Sequence, residues 1–544
     1  MRQVNQLGWW IKGEDEPQFG HDAVYSAIKQ VAKPIYVIDA GGQIGVAQGG
    51  VFDMRLPPGN PRIPWIAFVP PLHPASMGSP DFMRAHGLRY PYVVGAMANG
   101  ITSTKMVEAA GRAGMLGFFG AAGLALPQIE TAIQHLQSEM NGLPFGFNLI
   151  HSPGDPNLEL ETVHLYLRYG VRLISASAFM DLTLPLVYYR IKGIQEDKNG
   201  ITATPQKIIA KISREELAKK FLSPPPAKFI QQLLERNWIT SQEARLAETI
   251  PMADALTAEA DSGGHTDNRP ALALLPTMIS LRDWAMTEFN FSTPLSIGLG
   301  GGIATPESAA AAFAMGADYL VTGSINQACR EAGTSDTVRQ MLSEAGQADV
   351  TMAPAADMFE MGVKVQVLKR GTMFPLRAGK LYELYMAHDT YEDIPESQRK
   401  ILERDFFRKS FLEEWAHTKE FFLNRDPKQI ERAEANPKHR MALVFRSYLG
   451  QSSNWANTGK PSRKIDYQIW CGPAIGAFNQ WVKGTFLESA HNRQVVVIAL
   501  NILLGAAVVT RRQWLRQQGI FLPDVLTRIE PLELDAIQEQ LGNP

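Results

Sequence analysis

Cysteine is scarce in this chain of 544 residues, and its two cysteines, Cys329 and Cys471, exclude a fold held together by several disulfides. No cluster of cysteine and histidine has the spacing of zinc ligands, so no metal site is predicted. Such sparing use of cysteine is typical of a reducing compartment. We therefore expect a cytoplasmic protein.

An excess of charge of either sign is also missing. The chain has 53 lysine and arginine residues against 55 aspartate and glutamate residues, which gives a formal net charge of −2. A neutral balance of this kind gives no reason to expect attraction to a phosphate backbone. Nucleic acid is therefore not expected as a partner.

The sequence lacks a long, uninterrupted hydrophobic run. Its N-terminal segment has no basic stretch followed by an apolar one, so no secretory signal is predicted. The longest apolar run, Val495 to Val509, is shorter than the roughly 20 residues that a membrane-spanning helix needs, and Asn501 interrupts it. We interpret this run as a buried helix rather than a membrane segment, and we predict no membrane insertion.

Hydrophobic residues nevertheless make up 45% of the chain, enough for a large core. From about Tyr92 onwards, eight short apolar runs alternate with helical patterns, which is typical of parallel strands covered on both faces. Eight βα units in about 250 residues predict an α/β fold, a (β/α)8 TIM barrel at residues 89–348, with an open doubly wound sheet as the alternative. The predicted strands are Tyr92–Met97, Met115–Gly120, Phe145–Ile150, Arg172–Ala176, Lys207–Ile212, Ala255–Ala260, Leu295–Gly300 and Asp318–Thr322.

The residues before the barrel form an N-terminal extension, 1–88, with a different pattern. Two apolar runs, Pro34–Asp39 and Gln43–Gln48, flank a Gly-Gly turn and predict a β-hairpin. The proline-rich passage from Leu56 to Pro80 is expected to be irregular.

Helical patterns enlarge the barrel in two further places. Residues 224–249, after the fifth strand, predict an inserted pair of helices. Residues 349–544 are predicted to form a mainly helical C-terminal region, with helices at Glu396–Phe411 and Pro427–Leu449. We expect this region to pack on the barrel as a cap rather than to fold as an independent domain.

Glycine-rich segments follow the seventh and eighth predicted strands. They are Gly298–Ile303 and Thr322–Gln327, and Thr305 and Pro306 mark the start of a helix behind the first of them. Glycine lets backbone N–H groups approach an anion, and the positive end of a helix attracts it. Because these two loops are the usual phosphate site of a TIM barrel, we predict phosphate binding there. Tight packing of a βα turn is the alternative.

The sixth predicted strand is followed by a polar segment with one histidine. We expect four of its side chains to face the mouth that holds the glycine-rich loops: Asp261, Ser262, His265 and Asp267. The two glycines before His265 would let the backbone lie against a flat ring, and histidine exchanges protons near neutral pH. His265 is therefore the predicted catalytic residue, with a histidine merely bonded within a polar loop as the alternative.

Other strand ends bring small or polar residues to this mouth. Gly95–Met97 ends the first strand, and Asn148 closes the third. Lys211, near the end of the fifth strand, could stabilise negative charge that develops on a bound cofactor, and an ion pair inside the barrel is the alternative. Ser175 and Ser177, after the fourth strand, either line a ligand or fill space.

Gly95-Ala-Met97, Asn148, the run Asp261-Ser-Gly-Gly-His265 and Gly301-Gly-Ile303 together resemble the nitronate monooxygenase family of FMN enzymes. That superfamily includes FMN-dependent enoyl-acyl-carrier-protein reductases, and its hallmark is an acid-Ala-Gly-Gly-His run whose histidine transfers a proton. The resemblance therefore implies catalysis by His265, although Asp261-Ser262 stands here in place of Glu-Ala. The cofactor-binding residues predicted from the strand ends and the resemblance are Gly95, Ala96, Met97, Asn148, Lys211, Asp261, Gly263, Gly264, Gly300, Gly301, Gly302, Gly323 and Ser324.

Four longer segments resemble the PfaD-type enoyl reductases, which act in trans in bacterial polyunsaturated-fatty-acid and polyketide synthases. These segments are Glu259–Pro270, Thr322–Gln327, Ala353–Glu360 and Asp466–Asn479. The resemblance implies FMN and NADPH as cofactors and a trans-2-enoyl thioester on an acyl carrier protein domain of a synthase as substrate. Barrels of this kind often pair, which favours a homodimer.

Two other functions remain open at this point. An FMN oxygenase of the nitronate monooxygenase type would use the same barrel with oxygen as oxidant and without NADPH. A non-catalytic scaffold inside a synthase would have lost the cofactor, and the intact glycine loops and His265 argue against it.

Four basic residues of the C-terminal region lie close together in sequence: Lys369, Arg370, Arg377 and Lys380. They are interpreted as a solvated face, with a docking site for an acidic partner as the alternative. Extra helices after the fifth strand and in the C-terminal region are expected to wall the site.

Overall fold

The computed structural model describes residues 6–14, 16–55, 62–152, 156–198, 200, 202–523, 526 and 528–541. Within them the chain forms an N-terminal antiparallel sheet, a closed parallel barrel, and a C-terminal region of helices with a small sheet. The barrel is the part that positions the candidate site.

The N-terminal sheet has six strands in the order β2-β4-β3-β6-β1-β5. Its elements and the two helices before the barrel are β1 (Gly8–Ile11), β2 (Gln18–Phe19), α1 (His21–Lys29), β3 (Ile35–Ala40), β4 (Gln43–Ala47), β5 (Val51–Asp53), β6 (Arg62–Val69) and α2 (Pro80–His86). The predicted hairpin is confirmed, since β3 and β4 pair antiparallel. The expectation of an irregular passage is wrong for β6, because the apolar run around Pro64 pairs with β1 on one side and β3 on the other. Residues 56–61 of that passage lie outside the described residues.

All eight predicted barrel strands are present. The strands after the N-terminal sheet are β7 (Tyr92–Val94), β8 (Leu116–Phe119), β9 (Phe145–Ile150), β10 (Leu173–Ser177), β11 (Gln195–Glu196), β12 (Thr202–Ala203), β13 (Lys207–Ile212), β14 (Ala255–Glu259), β15 (Gly264–His265), β16 (Ser296–Gly300), β17 (Leu320–Thr322), β18 (Val350–Pro354) and β19 (Lys364–Leu368). The closed barrel runs β7-β8-β9-β10-β13-β14-β16-β17 with parallel neighbours, which confirms the TIM barrel and excludes the open sheet. Strand β7 ends three residues earlier than predicted, so Gly95–Met97 belongs to the loop at the barrel mouth.

Helices alternate with the barrel strands and continue beyond them. They are α3 (Thr104–Arg112), α4 (Leu126–Met140), α5 (Pro156–Arg168), α6 (Leu184–Ile191), α7 (Glu215–Leu222), α8 (Ala227–Glu235), α9 (Ser241–Ala247), α10 (Ala271–Phe289), α11 (Pro306–Ala314), α12 (Asp336–Ser343), α13 (Phe374–Ala387), α14 (Glu396–Ile401), α15 (Phe411–Arg425), α16 (Pro427–Ala435), α17 (Pro437–Thr458), α18 (Ala474–Val482), α19 (Val495–Gln517) and α20 (Leu534–Leu541). The pair α8 and α9 confirms the helical insertion after the fifth strand. Thr305 caps α11 with Pro306 as its first residue, as the sequence predicted.

The eighth helix position of the barrel is filled by α19. This helix packs beside α11 and α3, the helices that follow the seventh and first barrel strands. Within the described residues it is the one helix long and apolar enough to cross a membrane, and 83% of its most apolar window is buried inside the protein. The run Val495–Val509 is thus a buried helix of the barrel wall. This helix lies outside the predicted barrel range of 89–348.

A buried guanidinium ties α19 to the N-terminal sheet. Arg511 has no exposed surface and donates to the carbonyl oxygens of Ile28 at 2.8 Å, Gln30 at 2.7 Å and Lys33 at 2.6 Å. These carbonyls end α1 and the turn after it, where no further helical N–H is available. One side chain therefore satisfies the end of α1 and fixes α19 against it.

Two predicted helices of the C-terminal region have different limits in the structure. The predicted helix Pro427–Leu449 is divided into α16 and α17, because the Asn436 side chain accepts hydrogen bonds from the first N–H groups of α17. Pro437 then takes the first helical position, where its fixed φ and missing N–H cost little. The predicted helix Glu396–Phe411 is interrupted too: α14 continues as a wider π-helical turn, Leu402–Phe407, and α15 starts separately.

A buried carboxylate explains part of the C-terminal motif 466–479. Asp466 is fully buried and accepts hydrogen bonds from Tyr448 Oη at 2.7 Å, from Arg463 Nη1 at 3.1 Å and from Arg377. Arg377 therefore points into the core of this region. The expectation that Arg377 forms part of an exposed docking face is wrong.

We expect Asp466→Ala to destabilise the protein by about 3–5 kcal/mol, because it leaves buried arginines without their carboxylate. Urea unfolding followed by tryptophan fluorescence measures the change. The matched control is Asp389→Ala, since Asp389 is 87% exposed and pairs with Lys438 at 3.0 Å; its effect should be about 0–1 kcal/mol. Equal effects of the two substitutions would show that the Asp466 cluster adds no stability.

Candidate active site

His265 lies on β15, a two-residue strand in the loop after the sixth barrel strand. β15 pairs antiparallel with β19 of the C-terminal region, with Gly264 opposite Gln366 and His265 opposite Val365. Gly264 has a φ of +80°, a conformation that glycine adopts without steric cost. The backbone of the predicted catalytic residue is therefore held by the C-terminal hairpin β18–β19 as well as by the barrel.

Asp357, from the connection between β18 and β19, lies beside the imidazole ring. Its Oδ1 is 3.2 Å from His265 Nε2. Burial lowers the pKa of His265, but the hydrogen bond and charge of Asp357, with the charge of Glu259, together raise it above its ordinary value. Burial likewise acts to raise the pKa of Asp357, and the bond to His265 lowers it below its usual range. The arrangement favours an imidazolium paired with a carboxylate.

Two glycines let the C-terminal motif 466–479 pass in close contact with the histidine loop, the segment after the sixth barrel strand that contains His265. A Cβ at Gly263 would lie 2.7 Å from the Cα of Cys471, and a Cβ at Gly472 would lie 3.0 Å from the backbone N of Gly263. The backbone N–H of Gly472 also donates to Ser324 Oγ at 2.9 Å. The C-terminal motif therefore braces the loops after the sixth and eighth barrel strands.

The two glycine-rich loops, together called the glycine cradle below, lie at the barrel mouth where the sequence predicted an anion site. Gly301 and Gly302 have φ values of +90° and +75°, and a Cβ at Gly301 would lie 2.7 Å from the carbonyl carbon of Ala260. Gly302 and Gly323 have no heavy atom within 4 Å of their Cβ positions, so both border open space. Behind them the capped N-terminus of α11 adds its positive end.

Lys211 forms the ion pair that was its alternative interpretation. Its Nζ is 2.6 Å from Glu259 Oε1, and Ser262 Oγ donates to the same carboxylate oxygen at 3.3 Å. Both members of the ion pair line the cavity at the barrel mouth. Because an ammonium group has three donors, Lys211 can hold Glu259 and still donate to a ligand.

Asn148 and Asp261 organise the loops around them. Asn148 Oδ1 accepts hydrogen bonds from the N–H groups of Ala121 at 2.7 Å and Ala122 at 3.1 Å. Asp261 Oδ1 accepts from Gln366 Nε2 at 3.0 Å, which is a second link between the histidine loop and β19. Both residues therefore shape the cavity in addition to lining it.

A cavity of about 1140 Å³ opens at this mouth and brings the predicted residues together. Pockets for one small ligand usually have about 300–1000 Å³, so this cavity has room for a cofactor and a second ligand. The predicted site residues that line it are His265, Gly95, Ala96, Met97, Asn148, Lys211, Asp261, Gly263, Gly264, Gly300, Gly301, Gly302, Gly323 and Ser324.

One expectation about this mouth is wrong. Asp267 does not line the cavity: its Oδ2 accepts from Arg214 Nε at 2.9 Å and from Ser213 Oγ at 2.6 Å. The hydrogen bond from Arg214 is the main reason that the pKa of Asp267 falls to about 2, since an ion pair favours the charged carboxylate. Ser177 lines the cavity, whereas Ser175 is buried in the wall of the barrel and fills space there.

Several functional candidates had no role in the sequence-based prediction. Asp357 lies within the motif Ala353–Glu360, which was noted in the sequence as part of a family resemblance. The motif did not indicate that Asp357 would contact His265. His151 was interpreted from the sequence as a surface or packing residue, but it lines the cavity and its Nδ1 is 3.1 Å from Glu159 Oε2. Helices α15 and α17 contribute to the cavity wall, as expected of the C-terminal region. The inserted helices α8 and α9 do not line the cavity, so that part of the expectation is wrong.

A closed barrel with a glycine cradle after its last two strands, and a carboxylate-paired histidine over the same cavity, defines a TIM-barrel protein with its ligand site at the carboxyl ends of the strands. Residues 81–379 match the nitronate monooxygenase family. Since this match covers more than half of the chain, the protein belongs to that family. Residues 388–467 also match the inserted helical domain of [acyl-carrier-protein] S-malonyltransferase.

Similar proteins come from multifunctional synthases. The chain is 46% identical over 455 residues to a polyunsaturated fatty acid synthase protein of Thraustochytrium sp., covering 82% of the chain and 30% of that protein. It is 45% identical over 449 residues to the polyketide biosynthesis protein PksE of Bacillus subtilis, covering 82% of the chain and 58% of that protein. The chain thus spans less than two thirds of the length of these relatives.

A solved structure resembles most of the chain. The enoyl reductase domain of MlnA, from the macrolactin biosynthesis cluster of Bacillus amyloliquefaciens, superposes with a TM-score of 0.77 at 40% sequence identity. The similarity covers 81% of this chain and 99% of that domain. The barrel and much of what surrounds it are therefore shared with that domain.

The family implies a flavin cofactor, and the site fits one. Gly302 and Gly323 leave open space where a side chain would block a phosphate group, and the cavity is larger than a single ligand needs. Lys211 supplies a cation within the same cavity. These are features that a flavin mononucleotide, with one phosphate and an electron-accepting ring, requires of its protein.

Proposed function

We propose that the protein is an FMN-dependent enoyl reductase. It would use NADPH to reduce the trans-2 double bond of enoyl thioesters on acyl carrier protein domains, in cytoplasmic polyunsaturated-fatty-acid or polyketide biosynthesis. The observation that carries this proposal is the His265–Asp357 pair, which opens into the same cavity as the glycine cradle. The likeness to a domain named as an enoyl reductase supports it over 99% of that domain's length.

The predicted residues have distinct roles in holding the cofactor. The loops with Gly301, Gly302, Gly323 and Ser324 would bind the phosphate, and Gly95–Met97 with Asn148 would border the ring. When bound, FMN supplies hydride transfer from NADPH to the β-carbon of the enoyl thioester. Lys211 would stabilise negative charge near the ring, with Glu259 keeping the ammonium in place.

His265 would complete the reduction by protonating the α-carbon. Hydride at the β-carbon and a proton at the α-carbon turn the double bond into a single bond, while NADPH becomes NADP⁺ and the thioester stays intact. Because Nε2 is hydrogen-bonded to Asp357, Nδ1 is the ring nitrogen that would donate the proton. The ring would then regain a proton from solvent.

A carrier domain is the expected partner because the relatives are synthase proteins. The match of residues 388–467 to a helical domain of an acyl-carrier-protein transferase supports the same partner. A homodimer is part of the proposal, and light scattering on the purified protein tests it.

The test of the function follows the visible spectrum of the purified protein without oxygen. Flavin bands that bleach with NADPH and return when an enoyl thioester is added support the enoyl reductase. Flavin bands that NADPH does not bleach, or bands that return only when air is admitted, support the nitronate monooxygenase-type oxygenase instead. The absence of flavin bands from gently purified protein would support the scaffold.

Asp357→Asn should make thioester reduction fail at lower pH than it does in the wild type. The substitution removes the charge that raises the pKa of His265, so the ring loses its proton at lower pH. As pH rises, the rate of thioester reduction should therefore begin to fall at a lower pH in the variant than in the wild type. At pH 8 the rate of the variant should be several-fold lower. The control is Asp393→Asn, an exposed loop carboxylate that accepts a hydrogen bond from Thr390. A pH profile identical to that of the wild type would rule out the positioning role of Asp357.

A further inference from the structure

One face of α17 lines the cavity with polar side chains. Ser447, Gln451, Asn454 and Thr458 recur every three or four residues and all contribute to the wall. This spacing places them on one side of the helix. Over these residues the helix rises about 17 Å, at 1.5 Å per residue. The cavity therefore has a polar wall in addition to the cofactor cradle. The part of the cavity beside this face of α17 is called the channel below.

A glycine in the middle of this face leaves room for a ligand. Gly450 lines the cavity, and no heavy atom lies within 4 Å of the position that its Cβ would occupy. An interior glycine costs a helix about 1 kcal/mol relative to alanine. Nothing in the described part of the chain fills the space beside Gly450, so this space is open to a ligand in the channel.

The channel wall carries unused hydrogen-bonding groups of both kinds. Gln451 Nε2 donates to Glu414 Oε1 at 2.8 Å, and Asn457 Oδ1 accepts from Thr334 Oγ1 at 3.2 Å. Among the described residues, no protein group bonds to Gln451 Oε1 or Asn457 Nδ2. An acceptor and a donor spaced along a channel are what an amide-containing chain requires.

The cations along this wall are already engaged. Lys409 Nζ is 2.7 Å from Glu414 Oε2, and Arg446 Nε donates to the carbonyl oxygen of Ala356 at 2.9 Å. A pyridine nucleotide carries several phosphate groups, which bind best to available arginine and lysine side chains. The wall of α17 is therefore better suited to an uncharged polar ligand.

Apolar side chains line a different part of the same cavity. They come from the loop after β8, from α4, from the end of β9 and from α5: Leu124, Ile129, Leu149, Ile150 and Leu158. An acyl chain would be stabilised by this surface and not by amide and hydroxyl groups. The cavity thus offers separate surfaces for an apolar chain and for a polar arm.

We propose that the polar face of α17 binds the pantetheine arm that links the thioester to its carrier domain. Between its thioester and the phosphodiester that joins it to the carrier domain, this arm is uncharged, contains two amides and has an extended length similar to that of the polar face. The inference rests on the proposed function and assigns the side of the cavity from which the thioester is presented.

The test compares two enoyl thioesters as oxidants of the reduced holoenzyme: crotonyl pantetheine and crotonyl N-acetylcysteamine, which lacks the outer amide. The wild type should react at least tenfold faster with the pantetheine thioester at limiting concentration. Gly450→Leu, which fills the channel, should reduce this ratio to near one, and NADPH should still reduce the flavin. Asn454→Leu should lower the ratio without adding bulk at Gly450.

Matched substitutions separate channel blocking from damage to a helix. Gly379 lies inside α13, also has no heavy atom within 4 Å of its Cβ position, and does not line the cavity. Gly379→Leu should therefore keep the thioester preference of the wild type, and Gly450→Ala should keep the fold.

Each alternative outcome overturns a different statement. Equal rates with the two thioesters in the wild type would reject the pantetheine subsite and leave the enoyl reductase intact. Slower flavin reduction by NADPH in Gly450→Leu, with an unchanged thioester ratio, would assign the channel to the pyridine nucleotide. If neither thioester reoxidises the flavin of the wild type, the proposed function and the subsite both fail.

Discussion

Replacing His265 with glutamine is expected to slow reoxidation of the reduced flavin by an enoyl thioester by about 10²- to 10⁴-fold, the usual contribution of a general acid. Glutamine keeps hydrogen-bonding capacity but carries no transferable proton. Reduction by NADPH needs no proton from His265, so its rate should change by only a few-fold. Anaerobic stopped-flow absorbance of the flavin measures the two half-reactions separately.

A second histidine–carboxylate pair provides the control. His135 Nε2 is 2.7 Å from Glu108 Oε1 at the protein surface, and neither residue lines the cavity. His135→Gln should leave both half-reactions at wild-type rates. If His265→Gln keeps the wild-type rate with thioesters, solvent rather than His265 supplies the proton.

Gly301→Val is expected to give protein that folds but purifies without flavin. The valine would have to adopt a φ of +90°, which costs about 1–3 kcal/mol, and its Cβ would press on the backbone of Ala260. The loop must therefore move out of the position that forms the phosphate cradle. Because each 1.4 kcal/mol is tenfold in affinity, we expect FMN to bind about 5- to 150-fold more weakly.

The control for backbone strain is Gly142→Val. Gly142 has a φ of +84° and no heavy atom within 4 Å of its Cβ position, and it does not line the cavity. This substitution should cost stability while leaving the FMN affinity unchanged, as fluorescence quenching on titration with FMN can show. Similar loss of FMN in both variants would mean that global stability, not the cradle, governs cofactor binding.

The barrel could be predicted because its strands carry a strong local signal. Parallel strands buried on both faces are short apolar runs, and two of them, Phe145–Ile150 and Lys207–Ile212, have the predicted limits in the structure. The cavity residues could be predicted for a related reason: loops after parallel strands open at one mouth, so Gly301 and His265 had to be close.

Contacts between distant segments left no comparable signal. His265 and Asp357 are 92 residues apart along the chain, and their pairing depends on how β19 adds to β15. The basic character of Arg377 suggested an exposed surface, since nothing nearby in sequence showed that Asp466 would be buried against it. Similarly, α19 has the composition of a core helix, but composition cannot show which gap of the barrel it fills.

The position of α19 has a consequence for how the protein is made. During synthesis all eight barrel strands leave the ribosome well before Val495–Gln517, so the nascent barrel has an uncovered apolar side between α11 and α3. The long region between β17 and α19 must emerge before the wall can close and before Arg511 can reach the end of α1. Chaperones that bind exposed apolar surface should therefore act on this protein late in translation. If the ribosome stalls before α19, the nascent chains should stay soluble only while chaperones are bound to them.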